Sequence, residues 1–344
     1  MPRRIGRIEG IAEGIVDRLH RRIVGEQPQP DEPSDIPQNA NGGPYRTVSP
    51  DELAQLERER LGRFTVHNAT NPFREALLES GIPGIEQNPI ANEHKEMTWD
   101  LMQVRQDNQQ MYRAMNLEAW AGNIGTADFG RLTPEKRKTI EQEIAAGSIP
   151  IFMPDKTTQL NTTVEQFKKA FKPIWIKESQ ERDVNDAFLE WNHFVGLIND
   201  KAAELVEAVP DRPYIAMMNP SQKPDPRTCN KTVDDQKTEF AAINRERAAS
   251  KLSQAHITNP HEYGALQTIQ SQLIKKKFPT GSQPTTLRPI DSNTWTRFIN
   301  LPVSVGDVPN ACFVPGFSQA GFDGDDAGHP DPKRGFRLSV RVEL

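Results

Sequence analysis

Large apolar residues between Asp183 and Pro210 fall at Val184, Phe188, Trp191, Val195, Ile198, Ala202, Leu205 and Val209. The steps alternate between four and three, the spacing that keeps one stripe of a helix against a partner. Asp183 is a suitable N-cap, and Pro210 cannot continue a helix. The stretch predicts a long helix at the centre of the fold. Phe194 and Leu197 widen its apolar face, which favours a buried helix in a bundle over an isolated coiled coil.

Residues 93–120 repeat the stepping at Met97, Leu101, Val104, Asn108, Met111 and Met115. This predicts a second long helix packed against the first. Asn108 is the one polar residue on the seam. It either fixes register, as a lone seam asparagine does, or marks the rim of a half-buried helix. Trp99, Met102, Tyr112 and Trp120 broaden the face.

Shorter elements surround these two. Ser49-Pro50-Asp51-Glu52 opens a helix with a face at Leu53, Leu56, Leu61 and Phe64, and Asn71-Pro72 starts another. Thr133-Pro134-Glu135 opens one that ends at Gly147, and Thr163 with Gln166 forms a capping box. Ile149–Met153 is a short apolar run suited to a buried strand or an extended connector, and the proline-rich stretch 210–230 predicts a long loop, ordered at Tyr214–Met218 and exposed elsewhere. Helical spacing returns over 233–256 and again after Asn259-Pro260. Phe336, Leu338, Val340, Val342 and Leu344 alternate with Arg337, Ser339, Arg341 and Glu343, which predicts a half-buried β-strand. Its expected partners are neighbours around Trp295 and Phe313, with the sheet edge of another subunit as the alternative.

The resulting fold class is mainly α. A helical body spans 49–278, and a Pro/Gly-rich segment with β-strands spans 279–344. Ahead of them stands an arm. Residues 1–24 form an amphipathic helix with Ile5, Ile8, Ile11, Ile15, Leu19 and Ile23 on one face. Residues 25–48 are rich in Gln, Pro, Asp, Asn and Gly and predict a disordered linker.

Composition narrows the functional classes. The 344 residues carry a net charge of -5, so bulk basicity does not point to nucleic acid. Two cysteines, Cys229 and Cys312, give neither a disulfide framework nor a zinc pattern. No apolar run approaches the ~20 residues of a membrane span. Glycine-rich phosphate loops, the Gly-x-Ser-x-Gly elbow and His-Glu-x-x-His are all missing.

Three weak candidate sites remain. Asp323, Asp325 and Asp326 lie on a glycine-containing loop of the kind that suits Ca²⁺, although Lys333 and Arg334 stand ready to neutralise them. Arg3, Arg4, Arg7, Arg18, Arg21 and Arg22, with Lys275, Lys276 and Lys277, are cations available to phosphates. His193 has carboxylate neighbours on its helix, and His256 and His261 flank the Asn259-Pro260 turn. None amounts to a catalytic constellation, and no cofactor is indicated.

The expectation is a non-enzymatic structural protein, a virion component of capsid or coat type, located in the virion or the cytoplasm. It self-associates through its arm and C-terminal strand, with further copies or other structural subunits as partners. A nucleic-acid-binding module is the alternative, and an enzyme with a site assembled from scattered residues is the second.

Overall fold

The computed structural model describes residues 61–70, 95–163, 166, 170, 189–190, 206–221, 223–277, 290–291, 294–300, 307–314 and 319–344. Among them are six α-helices and three sheets, with 43% of residues helical and 23% in strands. That much sheet overturns the expectation of a mainly α, bundle-like body. The arm and linker lie outside the described residues, as do the helices expected from Ser49 and Asn71 and most of Asp183–Pro210.

The helices are α1 (Leu101–Ala114), α2 (Glu118–Gly125), α3 (Pro134–Ala145), α4 (Lys156–Leu160), α5 (Val233–Ala249) and α6 (Pro260–Lys277). In chain order the strands are β1 (Arg63–Ala69), β2 (Lys95–Asp100), β3 (Ile149–Met153), β4 (Leu189–Glu190), β5 (Tyr214–Met218), β6 (His256–Ile257), β7 (Trp295–Arg297), β8 (Asp307–Val314), β9 (Gln319–Asp326), β10 (Arg334–Gly335) and β11 (Leu338–Glu343). They form a β1-β2 ribbon, a sheet of order β10-β7-β8-β9-β4 and a sheet of order β3-β5-β11-β6.

The helix expected over 93–120 is three elements. Its first residues pair with β1 as a strand, from Arg63↔Asp100 to Ala69↔Lys95. Asp100 then accepts from the N–H groups of Met102 and Gln103, and α1 starts there. Asn116 takes φ 60°, a left-handed conformation that asparagine tolerates, and separates α1 from α2. The four-three spacing of Met97 to Met115 therefore crosses a strand, a cap and a helix. Phe64 belongs to a strand rather than to the expected helix face. Leu189–Glu190 likewise pairs with Gly321–Phe322 as a strand, not as part of a central helix.

Other expectations hold. Thr133 caps α3 at Lys136 N, and Gly147 follows that helix with φ 90°. Thr163 and Gln166 exchange the capping-box bonds at 2.9 and 3.2 Å. Strand β3 is buried at every residue; Tyr214–Met218, expected as the ordered part of a loop, is instead strand β5, also buried throughout and paired on both sides. The 336–344 alternation does form a strand, but its partners are β5 and β6. Trp295 and Phe313 belong to the other large sheet.

Asn108 is buried at 2% exposure, so it is not a rim residue. Its Oδ1 accepts from Phe152 N at 2.7 Å, and the Tyr112 hydroxyl donates to Phe152 O at 2.8 Å. Strand β3 is an edge strand, and α1 satisfies that edge with two side chains.

The most continuously buried stretch among the described helices is the first half of α6. Every residue from Pro260 to Ile269 is buried, including His261, Glu262, Gln267 and Thr268. Tyr263, Ala265, Leu266 and Ile269 join the main core with Trp99, Trp120, Phe152 and Tyr214. A helix covered on all sides must satisfy its polar groups internally, and those groups build the site described next. Among the described residues no helix is long and apolar enough to cross a membrane.

Candidate functional site

Asn259-Pro260-His261-Glu262 begins α6 as a capping box. Asn259 Oδ1 accepts from Glu262 N at 2.8 Å, and Glu262 Oε2 accepts from Asn259 N at 3.0 Å. A capping-box glutamate usually sits in water, but Glu262 is 0% exposed. Strand β11 lies beside it and presents Arg341, whose Nε and Nη2 donate to the two carboxylate oxygens at 2.8 and 3.1 Å. Tyr214 of β5 donates to Oε1 at 2.9 Å, and Ser339 of β11 lies at 3.3 Å. Gln159 of α4 extends the network to Tyr214 OH at 3.2 Å, Asn259 Nδ2 at 3.2 Å and His261 Nδ1 at 3.3 Å.

Electrostatics follow the geometry. Burial alone would raise the Glu262 carboxyl, but the Arg341 charge and the converging donors outweigh it and hold the group below the ordinary carboxylate range. Burial and the neighbouring Glu262 push the Tyr214 phenol up. Burial lowers His261 to about 4, with only partial relief from Glu262. His256 is lowered by burial and then by Arg341.

Glu262 accepts from Arg341 twice and from Tyr214, Ser339 and Asn259 N. A carboxylate offers about four lone-pair sites, so this one is saturated. It cannot take a proton from a substrate without surrendering its guanidinium. The arrangement joins α6 to β11 and β5.

Two further buried pairs have the same character. Arg337 Nη2 donates to Asp291 Oδ1 at 2.8 Å, and Thr294 and Thr296 also donate to Asp291. Arg297 Nε donates to Asp325 Oδ2 at 3.0 Å, and Arg334 donates to the other oxygen. Asp291 and Arg297 are 0% exposed.

Of the residues singled out from sequence, His261 lies in this cluster, through Gln159. Arg3, Arg4, Arg7, Arg18, Arg21, Arg22 and His193 lie outside the described residues. Lys275, Lys276 and Lys277 form the last residues of α6. Asp323, Asp325 and Asp326 lie on β9 rather than on a loop. Asp325 is occupied by Arg297 and Arg334; of the two cations expected to neutralise the aspartates, Arg334 is the one bound to it. Asp326 Oδ1 accepts from Gly328 N. Among the described residues no group of three or more His, Cys, Asp or Glu is placed to hold a metal ion. His261 is packed edge-on to Trp120 at 5.5 Å. Cys229 and Cys312 are free thiols.

The residues missed were Glu262, Arg337 and Arg341. One signal was present, the Asn259-x-x-Glu262 capping box. The 336–344 alternation alone puts the arginines on the wet face of a half-buried strand. No protein-family model matches the chain, and no curated protein or solved structure does so either.

Proposed function

We propose that this chain is a non-enzymatic structural protein that assembles, specifically a virion component of capsid or coat type. It associates through its N-terminal arm and through β11, with copies of itself or other structural subunits, in the virion or the cytoplasm. The observation that supports this reading is the state of the buried acids. Five buried acidic side chains are described: Asp107, Glu143, Glu262, Asp291 and Asp325. Four are ion-paired to arginine: Glu143 to Arg247, Glu262 to Arg341, Asp291 to Arg337 and Asp325 to Arg297. Asp107 accepts from Gln103 Nε2 at 2.8 Å. A catalytic carboxylate must be within reach of its substrate, whereas these are committed to partners within the chain. The amphipathic segment 1–24 on its polar linker supplies the reach for association.

Sedimentation and light scattering of the full chain, beside a variant lacking 1–48, test this. The full chain is expected to sediment as a multiple of its own mass, and the deletion to lower that mass. A full chain that stays monomeric at high concentration, unaltered by the deletion, contradicts the proposal.

A further inference from the structure

His261 lies in the first turn of α6 and is 4% exposed. Gln159 fixes where its proton sits. The Gln159 amide nitrogen donates to Pro154 O at 2.7 Å, an oxygen that can only accept, and to Tyr214 OH at 3.2 Å. Its Oε1 is therefore the acceptor for Asn259 Nδ2 at 3.2 Å and for His261 Nδ1 at 3.3 Å. The neutral imidazole thus carries its hydrogen on Nδ1. Trp120 of α2 packs edge-on against the ring at 5.5 Å.

A second proton makes this ring a buried cation. Among the described residues, Glu262 is the charge that bears on it. That carboxylate is already filled by Arg341, Tyr214, Ser339 and Asn259 N, and Arg341 brings a cation to the same place. The groups turned toward the ring from α2, α4 and β5 are Trp120, Gln159 and, through Gln159, Tyr214, all neutral. Asp155 at the start of α4 is bound to Asn123 and to Thr158 N, and Lys156 to Glu207 O. A charged His261 is stabilised only by reaching water.

Helix α4 stands in the way, and it is thin. It is a single turn whose one buried residue is Gln159, while Thr157 and Leu160 are exposed. No apolar side chain of α4 is buried, so lifting it uncovers little apolar surface. Polar bonds seat it: those of Gln159, Trp120 Nε1 to Thr162 Oγ1 at 2.7 Å, Asn123 Nδ2 to Asp155 Oδ2 at 2.7 Å and Lys156 N to Pro210 O at 2.8 Å. Segments with few apolar contacts open locally at low cost. Strand β5 is the opposite case, buried throughout and paired on both sides.

We propose that α4 is an acid-released lid, which lifts from α6 when His261 takes a second proton while β5 and β11 stay folded. The device belongs to the single chain and is independent of assembly.

Amide hydrogen exchange of the full chain, read by mass spectrometry from pH 7 to pH 4 and corrected for the intrinsic rate, tests it. A ring that titrates at about 4 when covered and at the ordinary 6.5 when open makes opening about 100-fold more favourable across that range. Protection over 156–163 is expected to fall by about that factor, with β5 and β11 still protected. In His261→Gln the fall should be absent. Unchanged protection over 156–163 overturns the lid, as does a loss shared with β5 and β11. The same fall in His261→Gln also overturns it and assigns the effect to Asp155. A second measurement needs no variant. Exchange of the carbon-bound ring hydrogen of His261, followed over the same pH series, gives the titration of that side chain. Its midpoint is expected to coincide with the loss of protection over 156–163, and separate midpoints overturn the proposal.

Discussion

Replacing Arg341 with methionine is the sharpest test of the buried ion pairs. The side chain is 4% exposed, and its partner Glu262 is 0% exposed. The change removes two donors, at 2.8 and 3.1 Å, and leaves the carboxylate with Tyr214, Ser339 and Asn259 N. It also removes the Arg341 bond to Ala208 O. Breaking a buried pair from one side costs about 3–5 kcal/mol, because the remaining charge is uncompensated. Glu262→Gln strands the guanidinium instead and should cost a similar amount. The double variant should cost less than the two singles together by roughly 2 kcal/mol, within the range for directly contacting residues. Urea unfolding followed by tryptophan fluorescence gives all four corners of the cycle, since Trp99 and Trp120 are at 0% and 1% exposure and report core opening. An Arg341→Met chain within about 1 kcal/mol of the parent would refute the reasoning, as would strictly additive singles.

Acid should destabilise the protein, with a defined contribution from His261. Its folded pKa of about 4 lies below the ordinary 6.5, so the unfolded chain binds more protons between these values. Stability is full above the upper value and falls by about 3 kcal/mol on the way to the lower one. Glu262, held below its ordinary range by Arg341 against the effect of burial, adds a loss of the same sign as pH falls through its folded value. Urea melts across this pH range check the slope, and His261→Gln should flatten it. Asn108→Ala leaves Phe152 N buried without its acceptor and should cost about 1–3 kcal/mol in the same melts; an unchanged midpoint would mean that the β3 edge has another partner. Gly335→Ala should cost about 1–3 kcal/mol, because an added Cβ would stand 2.5 Å from Thr228 Oγ1 and 2.8 Å from Pro224 Cβ. A thermal shift near zero would show that this approach relaxes freely.

Local chemistry was legible wherever neighbours in sequence decide the outcome. Thr133-Pro134 and Thr163 with Gln166 each name their element through bonds made within a few residues, and the 336–344 alternation names a strand but not its remote partners β5 and β6. The seam over 93–120 misled because four-three spacing does not see a cap. Asp100 turns strand into helix in the middle of it, and Asn116 breaks it again. The sequence marks α6 only as a helix restarting at a turn, although its residues from Pro260 to Ile269 are all buried. His261, Glu262, Gln267 and Thr268 interrupt its apolar stripe, and their partners come from residues as distant as Gln159 and Arg341. The same cause hid the candidate site. Arg337 and Arg341 look like solvent-facing residues until Asp291 and Glu262 are placed against them. Burial of a polar residue is decided by its partner, and the partner is remote in sequence.

The central claim is that the chain is built to assemble. Electron micrographs of the purified full-length chain, recorded over a rising concentration series, test it most directly. Regular closed particles or ordered polymers of one repeating unit are expected, growing in number with concentration. Fields that contain only separate single molecules at every concentration would contradict it.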